Sequence, residues 1–116
     1  MRPLKIKDRC IKISYCKCEE VVKTYDKVQA AYAKVLEDDE GIKSFACNVP
    51  LDGTEFTTDY VGIKTDGDYV VRECTYRNKL LLPRTAKLLD MSRVYWARRG
   101  VVDWAIVVES VQDEKT

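Results

Sequence analysis

The sequence predicts an α/β fold in which a mixed β-sheet is flanked by helices. Two segments place apolar residues at helical spacing, and several others alternate apolar and polar residues as strands do. These segments follow one another as α-β-β-β-α-β after an N-terminal β extension, an order typical of a sheet with helices packed on it. A chain of 116 residues, of which 46% are hydrophobic, suits a single domain with one core.

The N-terminal extension, about residues 1–25, is predicted to contain one or two strands. Apolar residues alternate with polar ones around Ile6 and again between Ile11 and Ile13. The first ten residues are basic and are not followed by an apolar stretch, so they do not resemble a secretory signal. Five cysteines form an odd number without such a signal, which favours reduced thiols and a cytoplasmic protein.

The first helix is predicted at about residues 27–37, because its apolar residues recur on one face. Asp26 is suited to cap the helix N-terminus, and Gly41 follows the acidic run that ends the helix. The next segment, SFACNVPL at residues 44–51, alternates apolar with small or polar residues. It is predicted to be a half-buried strand that ends near Pro50.

A β-hairpin is predicted next, with arms at residues 56–64 and 69–76. A two-residue loop, Asp66-Gly67, would place Asp59 opposite Cys74. A three-residue loop that begins one residue earlier, with its glycine in the left-handed region, would place Asp59 opposite Glu73. Both turns are common, so the sequence leaves the register open.

The second helix is predicted from near Pro83 to Arg99, since proline favours a first turn and Gly100 suits a C-terminal cap. The final segment, VVDWAIVV at residues 101–108, is nearly all apolar. Such a composition is typical of a strand that is covered on both faces. No apolar run approaches the ~20 residues that a bilayer-spanning helix needs, which predicts no membrane association.

The net charge of +1 hides a segregation of charge along the chain. Residues 28–71 are predominantly acidic, whereas residues 72–99 contain eight basic side chains and only two acidic ones. A cationic segment beside strand acids suits a site that binds a polyanion and holds a metal. The alternative is that these charges form ordinary solvated helix surfaces.

Two acids, Asp59 and Glu73, lie in half-apolar strands, where Asp is depleted and Glu is uncommon. Directly opposed carboxylates on a sheet repel each other. A divalent cation between them would turn that repulsion into binding, and magnesium prefers oxygen ligands of this kind. The alternative is that both acids face solvent and pair with bases such as Lys64 or Arg72.

Four motifs carry a resemblance to a known family. They are the strand TTDY, a hairpin to a strand ending in REC, a helix ending in RVYW, and a final strand with a Trp and a run of aliphatics. Their order resembles the catalytic domain of TnsA-type transposase endonucleases, which belong to the PD-(D/E)XK, or restriction-endonuclease-like, nucleases. Upstream, VQAAYAKVLEDDEGIKSFACNVPL is similar to that family's first catalytic helix and following strand. The resemblance implies a restriction-endonuclease-like core at residues 26–109, followed by an acidic tail at residues 110–116.

The resemblance also implies roles for individual residues. Asp59 matches the family's metal-binding aspartate, and Glu73 matches the second metal ligand. The main-chain carbonyl of Cys74 would supply another oxygen to the metal. The family's lysine position holds Thr75, and the position of its helical glutamate holds Gln29.

The last two positions depart from the family pattern. Thr75 has a hydroxyl that can donate a hydrogen bond, but it brings no positive charge. The bases that could supply that charge from neighbouring positions are Arg77, Lys79 and Lys87. Gln29 has an alternative role, since Asp26-x-x-Gln29 is a capping-box pattern at the start of a helix.

The function that the resemblance implies is a magnesium- or manganese-dependent DNA endonuclease. It would be encoded by a phage or another mobile element and would act in the host cytoplasm, with a protein partner or as a homodimer. DNA phosphates would be bound by Arg77, Lys79, Arg84, Lys87 and Arg93. Two alternatives stay open: a nuclease-fold protein that has lost catalysis and acts as a nucleic-acid-binding or assembly component, and an unrelated α/β binding module.

Overall fold

A computed structural model describes residues 1–110, and from residue 26 onward its helices and strands follow the predicted order. The N-terminal extension holds three short strands, where one or two were predicted. The strands are β1 (Arg2–Pro3), β2 (Ile11–Ile13), β3 (Val22–Thr24), β4 (Ile42–Pro50), β5 (Phe56–Lys64), β6 (Tyr69–Cys74) and β7 (Asp103–Val107). The helices are α1 (Lys27–Asp38) and α2 (Pro83–Ala97), and a short 3₁₀ helix spans Arg77–Lys79. The predicted acidic tail lies outside the described residues, apart from Ser110.

The main sheet is mixed, which confirms the predicted class of α/β protein. Strand β5 pairs antiparallel with β4 along one edge and with β6 along the other, and β7 pairs with β6 in parallel. Strands β2 and β3 form a separate antiparallel pair. None of the helices within residues 1–110 is long and apolar enough to cross a membrane.

The β5–β6 hairpin adopts the three-residue loop, one of the two alternatives that the sequence left open. The Lys64 N–H donates to the Asp68 carbonyl oxygen at 2.8 Å. Gly67 has a φ of +94°, a left-handed conformation that glycine adopts without steric cost. The loop therefore sets the register in which the two strand acids are opposed.

The two strands of the hairpin separate at the level of the acids. Their paired register ends at Tyr60 and Arg72, and one further step along it places Asp59 opposite Glu73. Strand β1 pairs with the start of β5. Because β4 already covers one edge of β5 there, β1 lies along the same edge as β6. Met1 thereby lies in the gap between the separating strands.

Helix α1 agrees with the predicted helix to within one residue at its C-terminal end. The Asp26 side chain accepts from the Gln29 N–H, which confirms the predicted N-terminal cap. Its buried apolar side chains join the core with residues of the sheet and of β3. That core cluster includes Val22, Val28, Ala33, Leu36, Ile42, Phe45, Tyr60, Val70 and Cys74.

Helix α2 buries only Leu89 and Ser92. Tyr95 and Trp96 are half-buried at its C-terminal end, where the Trp96 indole N–H donates to the Thr58 hydroxyl at 2.8 Å. The helix ends at Ala97, two residues before the predicted end.

The prediction that the last strand is covered on both faces is wrong. In β7 no side chain is fully buried, Ile106 is 39% exposed, and the preceding Val102 is 95% exposed. Within residues 1–110 no strand pairs with the outer edge of β7. An edge strand can carry aliphatic residues that pack on one face while the rest of its surface meets water. An apolar composition is therefore not sufficient to predict burial on both faces.

Candidate metal and nucleic-acid site

Two carboxylates converge on one positive charge at the gap between β5 and β6. The Met1 ammonium nitrogen lies 3.3 Å from Asp59 Oδ2 and 3.1 Å from Glu73 Oε1. Both acidic residues are fully buried. The alternative in which they face solvent is therefore wrong, and their carboxylates can share a cation.

The separating strands orient both carboxylates through main-chain hydrogen bonds. The Cys74 N–H donates to Asp59 Oδ2 at 2.7 Å, and the Asp59 N–H donates to Glu73 Oε1 at 3.0 Å. A buried N–H that leaves a sheet ladder needs another acceptor. The two acids fill this role for each other's strands, which fixes their positions before any ligand binds.

Ser92 holds Glu73 from the helical side. Its hydroxyl donates to Glu73 Oε2 at 2.5 Å and accepts from the Trp104 indole N–H at 3.0 Å. These two hydrogen bonds connect β6, α2 and β7 through buried or half-buried groups. Ser92 was not among the predicted site residues, although a small polar residue on the packing face of α2 is a signal that could have identified it.

Arg2 holds Asp59 from the N-terminal side. Its Nε lies 2.9 Å from Asp59 Oδ1, and its Nη2 lies 2.6 Å from Asp26 Oδ2. The Nε–H is buried and makes no aligned hydrogen bond, so its contact with Asp59 is an ion pair only. No pattern in the sequence indicated this role, because a single base near a chain end carries no spacing signal.

Gln29 lies at the start of α1 and also contacts Asp59, so its position agrees with the predicted cap, while its role in the site stays a prediction. Its main-chain N–H is capped by Asp26 at 2.8 Å, and its side-chain oxygen accepts from the Tyr25 N–H at 2.9 Å. Its amide nitrogen donates to Asn48 Oδ1 at 2.9 Å and to Asp59 Oδ1 at 3.3 Å. Gln29 thus donates a hydrogen bond to Asp59 through its amide nitrogen, while its side-chain oxygen accepts a hydrogen bond at the start of the helix.

The electrostatics of the site follow from burying charges beside one another. Burial raises the pKa of Glu73, and the Asp59 carboxylate adds to the effect, while the Met1 ammonium and the Ser92 hydroxyl oppose it. Burial disfavours the charged Met1 amine, but Asp59 and Glu73 outweigh it and raise the amine pKa. The basic groups of Met1 and Arg2 thus lie beside the two acids.

A cavity of about 180 Å³ opens beside these groups. Its lining includes Met1, Arg2, Cys74, Thr75 and Lys79. The lining contains three basic groups, those of Met1, Arg2 and Lys79, and one acid, Asp26. Met1 and Arg2 connect it to the buried acid pair, which does not itself line the cavity. Burial raises the pKa of the Cys74 thiol, which keeps it neutral there.

The predicted phosphate-binding bases occupy different environments. The Arg77 N–H donates to Glu109 Oε1 at 2.8 Å, and Arg93 pairs with Asp90 at 2.6 Å. Three bases form no ion pair with another residue in the range 1–110, and all three are exposed: Lys79, Arg84 and Lys87. Of the five, only Lys79 lines the cavity.

The donor set fits a hard divalent cation in type and convergence. The two carboxylates already enclose the Met1 ammonium, and magnesium is commonly bound through one or two carboxylates together with substrate oxygens. No group of three or more His, Cys, Asp or Glu residues that could hold a metal occurs in the part of the chain described. A cation here would therefore draw its other ligands from the main chain, from water or from substrate.

The sequence matches no model of a known protein family, and no curated protein is detectably similar to it. The resemblance to TnsA-type endonucleases therefore stays a prediction that rests on the four sequence motifs alone.

Proposed function

We propose that this protein is a metal-dependent DNA endonuclease with a restriction-endonuclease-like core. The observation that carries the proposal is the convergence of two buried carboxylates, Asp59 and Glu73, on one cationic group that also lines a cavity with Lys79. Buried like charges a few ångströms apart are costly unless a cation joins them. Such an arrangement is frequent where an enzyme handles phosphate groups.

Three groups of the chain would hold the metal, and two others would orient them. Asp59, Glu73 and the carbonyl oxygen of Cys74 would hold magnesium or manganese, which polarises a phosphoryl oxygen and lowers the pKa of a bound water. Gln29 fixes Asp59, and Ser92 fixes Glu73. Rigid carboxylates reduce the reorganisation that the reaction requires.

Positive charge on the phosphate side would come from Lys79. Thr75 lines the cavity and can donate a hydrogen bond, but it has no charge to offset the phosphate. Arg2 is engaged by Asp59 and Asp26, and Arg77 by Glu109. Lys79 has no such partner among residues 1–110 and lines the same cavity as Thr75, so it is the base best suited to contact the scissile phosphate.

A plasmid-nicking assay tests the proposal. Supercoiled plasmid is incubated with the protein and magnesium or manganese, and the conversion to nicked or linear DNA is followed. We expect Asp59→Asn and Glu73→Gln to lower the rate by about 100-fold or more. Asp38→Asn serves as the matched control, since Asp38 is exposed at the end of α1 and pairs with Lys34, which has no proposed role in DNA binding. Cleavage at the wild-type rate by both site variants, with unchanged thermal midpoints, would contradict the proposal.

A second candidate is a nuclease-fold protein without catalysis that binds nucleic acid or serves in assembly. Two observations favour it: Met1 and Arg2 already neutralise the acid pair, and Thr75 stands at the family's lysine position. Thr75→Lys separates the candidates, since it adds a cation to the cavity. In an active nuclease we expect cleavage to rise by about tenfold or more. Salt-dependent DNA binding, with no cleavage by wild type or variant in either metal, would establish the second candidate.

A further inference from the structure

An exposed apolar tip lies beside the cavity. Leu81 is 92% exposed and Leu82 is 51% exposed. They lie in the 77–87 segment, which runs from the 3₁₀ helix into the first turn of α2. A fully exposed leucine forgoes the stabilisation that burial of such a side chain contributes. Adjacent in one turn, the two leucines offer an apolar surface to a binding partner, whose kind is indicated by the surrounding charge.

The tip is held in place by the main chain. The Leu80 N–H donates to the Arg77 carbonyl at 3.1 Å, and the Leu82 N–H donates to the Lys79 carbonyl at 3.1 Å. Pro83 then fixes the start of α2, where the Ala86 N–H donates to the Leu82 carbonyl at 3.0 Å. Leu81 therefore projects from an ordered turn, which limits the entropy that its insertion into a partner would cost.

The charge around the tip identifies the kind of partner. The 77–87 segment contains four bases and no acid, and the nearest acids in sequence are Glu73 and Asp90. Three of those bases, Lys79, Arg84 and Lys87, make no ion pair with other described residues. The surface thus complements a polyanion. Two leucines bury too little apolar area to anchor a protein in a bilayer, which favours a nucleic acid over an anionic membrane.

We propose that Leu81 inserts between neighbouring nucleobases of a bound DNA duplex. The basic side chains of the 77–87 segment hold the phosphates on either side. Apolar side chains inserted in this way unstack a base step and kink the duplex. Because Lys79 belongs both to this segment and to the cavity lining, the unstacked step would lie near the acid pair. This inference rests on the DNA-binding part of the proposed function but does not require catalysis.

The insertion predicts a preference for DNA that is already weakly stacked. A 30-base-pair fluorescent duplex with a central mismatch is compared with its matched counterpart by anisotropy, in EDTA so that no cleavage occurs. We expect the wild type to bind the mismatched duplex about tenfold or more tightly, since its unstacking cost is lower. Leu81→Ala should abolish this preference and leave affinity for the matched duplex within about threefold.

Val102→Ala provides the matched control, because Val102 is 95% exposed and lies outside the 77–87 segment. It should keep the wild-type preference, and thermal midpoints should show that both variants fold. Three outcomes would overturn the insertion: no preference by the wild type, a preference that survives in Leu81→Ala, or binding of the wild type to anionic vesicles but not to DNA. Absence of cleavage in the plasmid assay would leave the preference intact, so the two proposals fail separately.

Discussion

Glu73 shows how single residues are fixed in this site. Its carboxylate is fully buried, and it is held by the Met1 ammonium, the Asp59 N–H and the Ser92 hydroxyl. Burial disfavours its charge, so each of these donors matters more than it would at the surface. Ser92 is the donor most open to a simple test, because it connects Glu73 to Trp104.

Ser92→Ala should destabilise the protein by about 1–3 kcal/mol, because it leaves a carboxylate oxygen and an indole N–H without their buried partner. The greater helix propensity of alanine offsets about 0.5 kcal/mol of this loss. Urea denaturation measures the change in the free energy of unfolding. Ser44→Ala is the control, because Ser44 is a half-buried serine of β4. It should change stability by less than about 0.5 kcal/mol. Equal stability of Ser92→Ala and the wild type would show that the chain of hydrogen bonds contributes nothing.

Some residues of the site could be recognised from the sequence, and others could not. Asp59 and Glu73 were recognisable because acids are unusual in half-apolar strands. Gln29 was recognisable through its capping pattern and through the family resemblance. Met1 and Arg2 were not, since they reach Asp59 from 57 or more residues away and no local pattern records such a contact.

At the scale of elements, the Val70 side chain of β6 packs over Gly62, its partner across the ladder in β5. A Cβ added at Gly62 would lie 2.9 Å from Val70 Cγ1. Val70 is buried and β-branched, so it has little freedom to move aside. The close approach therefore depends on both residues.

Gly62→Ala should destabilise the hairpin by about 1–3 kcal/mol through overpacking. The double variant Gly62→Ala/Val70→Ala should be destabilised by less than the sum of the two single variants, because truncation of Val70 makes room for the new methyl group. Chemical denaturation of the four proteins in this cycle gives the coupling. Additive losses would mean that the strands accommodate the alanine in another way.

One carboxylate connects three neighbouring strands of the main sheet. Asp103, at the start of β7, lies 2.6 Å from Lys64 Nζ in β5 and 2.8 Å from Arg72 Nη2 in β6. The hydrogen bond from Lys64 and the nearby Arg72 guanidinium lower the pKa of Asp103 below its usual value of 3.8. A lowered folded-state pKa means that the contribution of Asp103 to stability is present above pH 3.8 and is lost as the pH falls through the folded value.

Asp103→Asn should therefore lower the thermal midpoint at neutral pH, and its difference from the wild type should shrink in acid. Thermal unfolding at about pH 7 and at about pH 3 tests this pH dependence. Asp8→Asn, an exposed acid in the N-terminal extension, is the control and should leave the neutral-pH midpoint unchanged. A difference that is as large in acid as at neutral pH would argue against an ionic role for Asp103.

At the scale of the whole molecule, charge is divided between the two halves of the core. The acidic residues 28–71 and the basic residues 72–99 lie on different elements. Such a division leaves the net charge near zero but creates a local positive field around the first turns of α2. DNA binding through that field would be sensitive to salt and nearly independent of sequence.

The double variant Arg84→Gln/Lys87→Gln should weaken DNA binding and reduce the steepness of its salt dependence. The slope of log K against log salt concentration should become less negative by about 1 for each lost phosphate contact. Lys34→Gln is the control, because Lys34 pairs with Asp38 on the acidic helix α1. Equal slopes for the double variant and the wild type would locate the DNA-binding surface elsewhere.

The sequence by itself determined the order of helices and strands in the core, the Asp26 cap and the presence of the hairpin. These depend on spacing and turn residues within about ten positions, where local sterics and periodicity act. The tertiary structure decided which hairpin loop forms, that β7 lies at an edge, and which groups surround the acids. Those outcomes depend on contacts between distant segments, such as Met1 with Asp59 and Ser92 with Glu73, whose formation only the packing of the whole chain can select.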